Sequence, residues 1–354
     1  MEKYIKYVKE NFLTPEQYIL SKFEEHEVIL LGEDHAVKDT LDLAISLIPQ
    51  LYQSGVYNFG MEFGASEDQA DLDRLITSEE YDETEARRLL FNYNVRWAYK
   101  EYADIYKAAW KLNKSLRKGE RKFRILNLSY MYNWEGYSGM RTPTSLKKVF
   151  HKGNILAFRA NLVEREILAK GEKLLVLTGT PHAYTKFKFP VVDSNADEFY
   201  SLQGGGFGNR LHEKFGSRIF NILIHQPAIH INTLLPHATK GIKTIETVME
   251  RLDYQPVGFD LMNTVMGDIP DDGYNSIPYE NFTLKEVSDG YIFTKPLRRM
   301  QGCTVDYEYL KGKNFEEVQS NWPDKDWTPI PENEKAYWKE IEDYVDLRER
   351  YYTE

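Results

Sequence analysis

A single cysteine, Cys303, stands in 354 residues. An internal disulfide and a zinc site built on cysteines are therefore excluded. No histidine lies near Cys303 in sequence, so nothing marks it as a catalytic thiol. No apolar run approaches the roughly 18 residues of a membrane span. The opening stretch MEKYIKYVKENFLTPEQ lacks the apolar centre and small-residue cleavage site of a signal peptide, so a cytoplasmic protein is expected, with a trimmed exported precursor as the alternative. Basic residues are outnumbered, 45 against 55, for a net charge of −10. That balance argues against a general affinity for nucleic acid or for anionic lipid surfaces. The one strongly basic stretch, residues 111–124, reads as a solvated helix end. No Gly-x-Ser-x-Gly elbow occurs, which makes a serine hydrolase of the α/β type a poor fit. The glycine run at 204–208 (GGGFG) lacks the Lys and Ser/Thr of a phosphate loop and the spacing of a dinucleotide fingerprint. It reads as a turn. Internal repeats and low-complexity tracts are also missing.

What is present is ample material for a core. Apolar residues make up 42% of the chain and aromatics 14%, with 25 tyrosines. Many of these aromatics fall in the loop-like stretches 129–140 and 271–282, where packing is the default and a ligand-lining role the alternative. Thr14-Pro15-Glu16-Gln17 carries the signature of a capped helix start, opening a helix over about 15–25. Short apolar runs at 28–31, 57–63, 123–129 and 173–179 read as buried strands. Between them, apolar residues recur at helical spacing over Leu41–Leu51, where Pro49 is expected to kink or shorten the helix. A second capping box, Ser66 with Gln69, is expected to open another helix. Trp97–Leu112 reads as a longer helix, and a further one is expected near 155–170. Further strands are expected at 217–224 and 290–295, and helices at about 243–252 and 333–350. Strand–helix alternation of this kind predicts an α/β fold: a mostly parallel central sheet flanked by helices on both faces. No linker divides the chain, so one domain over 1–354 is expected, with its core at about 25–300 and a helical extension at about 330–354.

In such a sheet, ligands bind beyond the carboxyl ends of the strands. The first strand runs out into Glu33 and His35, and the second carries Glu62 near its end. The third leads to Asn127 and Ser129, and the fourth is followed by His182. If these strands are parallel, two carboxylates and two imidazoles meet at one edge. That set suits a divalent ion such as zinc, manganese or iron. It equally suits metal-free activation of water by a histidine that a carboxylate orients. Glu62 is the most telling member, because a carboxylate inside an apolar strand needs a partner; Arg96 and Arg124 are structural alternatives for that partner. Of the loose group His225, His230 and His237, only His225 sits at a strand end.

The pieces VILLGEDH (28–35), FGMEFG (59–64), the Trp97 helix leading to RILNLS, and LLVLTGTPHA (174–183) resemble one superfamily. It joins erythromycin-esterase-like proteins, ChaN-like haem-binding proteins and the Tiki/TraB proteases. The Glu-x-His spacing at 33–35 is most similar to the ChaN-like branch. The segments 208–224 and 289–297 look like the esterase branch. The resemblance implies a site made of Glu33, His35, Glu62 and His182, with water activation in the esterase branch, a bound metal in the Tiki branch and haem in the ChaN-like branch. The leading expectation is a hydrolase of an ester or related acyl bond, acting on a small molecule or peptide. His35 would be the general base, and Glu33 would orient it or help bind a metal. Glu62 and His182 would be metal ligands or proton-transfer partners, and Arg96 would stabilise the oxyanion. The rivals are a haem- or metal-binding protein without catalysis and a catalytically silent scaffold.

Overall fold

The computed structural model describes residues 1–192, 200–229 and 236–351. Eleven strands occur among them: β1 (Val28–Glu33), β2 (Asn58–Ala65), β3 (Arg124–Ser129), β4 (Leu174–Gly179), β5 (Phe189–Val192), β6 (Tyr200–Gln203), β7 (Ile219–Ile224), β8 (Ala228–Ile229), β9 (Pro236–His237), β10 (Val257–Asp260) and β11 (Gly290–Phe293). Seven form one sheet in the order β10-β11-β7-β1-β4-β2-β3, while β5-β6 and β8-β9 are separate two-stranded ribbons. β1 runs parallel to β7, β11 parallel to β7 and β2 parallel to β3. Only β10, paired with β11, is antiparallel among these ladders. The expected α/β fold with a mostly parallel sheet is therefore present. Strands β1, β2 and β4 are buried along their whole length. This is why they read as continuous apolar runs rather than alternating ones.

By its internal contacts the chain divides into two compact units. The first holds Met1–Leu43, Leu175–Gln301 and Leu347–Glu354; the second holds Ala44–Leu174 and Gly302–Asp346. In the first, Tyr291 and Phe293 of β11 and Phe259 of β10 pack with Ile245, Val248 and Met249 of the helix Lys240–Glu250. In the second, Trp134, Tyr137 and Val149 form a buried cluster. The aromatics of the two loop-like stretches serve as packing: Trp134 and Tyr137 there, and Phe282 against Tyr184 and Phe187 in the first unit. No helix among the described residues is long and apolar enough to cross a membrane.

Local signals succeed where nothing competes with them. Thr14 and Gln17 form the expected reciprocal cap of the helix Pro15–Lys22. Ser66 and Gln69 do not form theirs. The Gln69 amide instead donates to the Ile125 carbonyl and accepts from the Asn127 backbone, both at the β3 edge, and Ser66–Asp68 is a short 3-10 turn. The helix Lys38–Gln53 carries Pro49 inside it and runs on past it, so the proline does not end it. The expected last helix is two, Glu334–Val345 and Leu347–Tyr351. The glycine run at 204–208 opens the helix Phe207–Phe215. A Cβ at Gly208 would lie 2.6 Å from the Tyr184 carbonyl oxygen and 2.8 Å from that of Ala183. Backbone oxygens cannot swing aside as a flexible side chain can. Gly208→Ala is therefore expected to lower stability by about 1–3 kcal/mol, read as a drop in thermal midpoint, whereas alanine at exposed Gly119, which has open space around it, pays only for its positive φ.

Candidate functional site

In the first unit, β1 delivers Glu33 as its last residue, fully buried. Nδ1 of His35 lies 2.6 Å from Oε1 of Glu33, and the His35 side chain is 30% exposed. The contact is local: β1 ends at Glu33, and the turn that follows brings the His35 ring back against its carboxylate. The result is an imidazole that solvent reaches, tied from behind by a carboxylate that solvent does not.

The exit of β4 completes this arrangement. A Cβ at Gly179 would lie 2.9 Å from Cε1 of His35 and 3.7 Å from Cδ2 of His182. Both imidazoles thus border the same glycine. His182 sits on the single helical turn Thr180–Ala183. That turn is held against β1: Thr180 donates its hydroxyl to the Glu33 carbonyl at 3.2 Å, and a Cβ at Gly32 would meet Thr180 and Ala183 at 3.2 Å. Gly32 and Gly179 are therefore needed for close approach.

Glu62 belongs to the second unit, inside β2, and its partner is one that sequence reasoning missed. Nη1 of Arg159 stands 3.0 Å from Glu62 Oε1, and both side chains are buried. Arg159 also donates through Nη2 to Ser129 Oγ at 2.9 Å, and Ser129 donates to the Glu62 carbonyl at 2.6 Å. Burial is the largest single influence and works against the Arg159 charge; Glu62 heads the influences that favour it, and together these leave its pKa raised. Burial first, and Glu62 next, push the Tyr93 hydroxyl well above its ordinary range. The signal for Arg159 lay in helical spacing. It stands three residues after Leu156 and four before Val163, on the apolar stripe of the helix Ile155–Glu166, where an unpaired charge would be costly.

The two arginines weighed for Glu62 have other partners. Arg96 pairs with Glu340 at 2.6 Å and lies over the Trp322 ring. Its charge is already answered, which counts against the expected oxyanion role. Arg124 pairs with Glu166. His225 does stand at the end of β7, but wholly buried between the Tyr291 hydroxyl at 2.6 Å and Glu246 at 3.4 Å. His237 lies in β9, and His230 lies outside the described residues. Among the described residues, no group of three or more His, Cys, Asp or Glu side chains is placed to hold a metal ion. The expected divalent site on His35, Glu62, His182 and Glu33 is thus unsupported. Glu62 is engaged by a guanidinium, and the His35 Nδ1 by Glu33.

Residues 19–116, which carry Glu33, His35 and Glu62, match the family described as haem-binding uptake, Tiki superfamily, ChaN. The resemblance to the ChaN/Tiki superfamily is shown over that stretch. No curated protein matches the chain. Among solved structures it is similar to a succinoglycan biosynthesis protein at 13% identity, with a TM-score of 0.50, over 77% of this chain and 88% of the other. It is also similar to a Bacillus cereus protein at 11% identity and TM-score 0.46, over 77% and 89%. A third is ChaN of Campylobacter jejuni, described with cofacial haem binding, at 17% identity and TM-score 0.37, over 58% and 84%. At such identities the likeness is one of fold.

Two outcomes follow from the buried pairs. Arg159→Met strands a buried carboxylate and should cost about 3–5 kcal/mol, while the double variant Glu62→Gln/Arg159→Met should recover much of that loss; denaturant unfolding of the three proteins checks it. His225 has its pKa lowered below 6.5, by burial first, with Glu246 opposing. The unfolded chain then takes up this proton more readily than the fold. The contribution is complete above pH 6.5 and is lost as pH falls from there through the lowered native value. Thermal melts stepped down from pH 6.5 should show a fall in stability that is shallower in His225→Gln.

Proposed function

We propose that the protein activates water for attack on an ester or related acyl bond of a small molecule or peptide, with Glu33 and His35 as the base pair. The observation that carries this reading is the 2.6 Å contact between a fully buried carboxylate and a partly exposed imidazole. With Nδ1 turned to Glu33, the proton of the attacking water passes to Nε2. The water oxygen adds to the acyl carbon, and the same proton then goes to the departing oxygen as the tetrahedral intermediate collapses. Glu33 keeps the ring in the tautomer and orientation that this needs, and it offsets the positive charge His35 gains. His182, across Gly179, is the second imidazole within reach of that intermediate. Glu62 enters this reading as the charge partner of Arg159 rather than as a carrier of protons.

A second reading has its own support in the match of residues 19–116 to a haem-binding family. In that reading His35 would be the residue that holds the haem iron, and the bound group would supply the chemistry there.

The readings separate on one variant. Hydrolysis of a panel of chromogenic short-chain esters by folded His35→Ala should fall by about 10²–10⁴-fold, and by a comparable factor in Glu33→Gln. Undiminished hydrolysis in folded His35→Ala would end the proposal. A panel with no turnover, together with a saturable Soret change on hemin addition that His35→Ala abolishes, would favour the binding reading.

A further inference from the structure

The loop that carries His35 does not hold its own shape. Ala36, directly after the histidine, has φ +60°, a left-handed conformation that residues with a Cβ rarely adopt unless their surroundings impose it. The surroundings here come from the helix Leu347–Tyr351, far along the chain. Arg350 donates through Nη1 to the His35 carbonyl at 2.8 Å, and its Nη2 forms an ion pair with Asp34. Tyr351 donates its hydroxyl to the other Asp34 oxygen, Oδ2, at 2.6 Å. Beneath these polar contacts, Val37 packs in one apolar cluster with Leu347, Tyr351, Ile242, Leu297 and Met300. Next along, Lys38 donates its backbone N–H to the Gln301 carbonyl, and Asp39 accepts from the Gln301 N–H.

We propose that Arg350 and Tyr351 are positioning residues for His35, acting through the backbone and carboxylate of residues 34–35. The inference rests on the reading of Glu33 and His35 as the working pair. Its logic is geometric. Glu33 fixes the ring of His35 from one side of the strand exit. From the helix Leu347–Tyr351, the Arg350 guanidinium grips both Asp34 and the His35 carbonyl. A planar fork can span two such acceptors at once, where a lysine ammonium acts as a point charge. The ring and the backbone that bears it are thus pinned independently. This also accounts for the second acid of the Glu-Asp-His run, which water activation itself does not use.

The test is nitrogen and carbon NMR of the His35 ring in the full chain, labelled at histidine, with His35→Ala for assignment. The wild type should show one tautomer, protonated at Nδ1, with a slowly exchanging ring proton. In Arg350→Ala the exchange of that proton should rise about tenfold or more, as loss of a charge-assisted bond implies, and the ring shifts should move towards tautomer averages. Arg350→Lys should fall between, because it keeps the charge and loses the fork. Tyr351→Phe should move the same signals less, and it carries the test if Arg350→Ala fails to fold. His35 signals that superimpose on the wild type in folded Arg350 and Tyr351 variants would overturn the inference. A wild-type ring not protonated at Nδ1 would instead overturn the Glu33–His35 pair itself, so the two failures are distinguishable.

Discussion

The candidate chemistry depends on one contact, a buried carboxylate held against an exposed imidazole at the end of a strand. Burying a carboxylate costs several kcal/mol unless a partner answers it. At Glu33 the partner is His35, and that choice has consequences that a lysine or arginine would not bring. An imidazole can give up and accept a proton near neutrality, so the group that stabilises the carboxylate is also one that can do acid–base work. Around that pair the strand exit is crowded: the turn Thr180–Ala183 comes close at Gly32, and both imidazoles border Gly179.

The second buried carboxylate shows the contrast. Glu62 is answered by Arg159, whose guanidinium stays charged at any pH the protein meets. That pair is anchored by Ser129 and surrounded by tyrosines whose hydroxyls burial and Glu62 hold in the neutral form. It is a fixed charge arrangement rather than a titrating one. Two carboxylates that look alike as sequence, each near the end of an apolar strand, therefore differ in chemistry through the partner each acquires.

How much was legible in the sequence follows from the same distinction. The strands were readable because both faces of a parallel sheet are buried and leave unbroken apolar runs. The Glu33–His35 contact was readable because it is local: the two residues stand two apart in sequence where a strand ends. Arg159 was not found, since it reaches Glu62 from a helix almost a hundred residues on, and only its position on an apolar stripe marked it. Arg96 drew attention through its neighbour Trp97, but Glu340 claims its charge. The capping box at Ser66 failed because Gln69 had better partners on β3 than at its own helix start. The grip of Arg350 on Asp34 and on the His35 carbonyl leaves no local trace at all, because it joins residues over three hundred positions apart.

The most direct measurement of the central claim is the protonation pattern of the His35 ring in the wild type and in Glu33→Gln, read from its nitrogen shifts. The account predicts a neutral ring protonated at Nδ1 in the wild type, and loss of that single tautomer when the carboxylate is replaced. A wild-type ring protonated at Nε2, or one indifferent to Glu33→Gln, would contradict it.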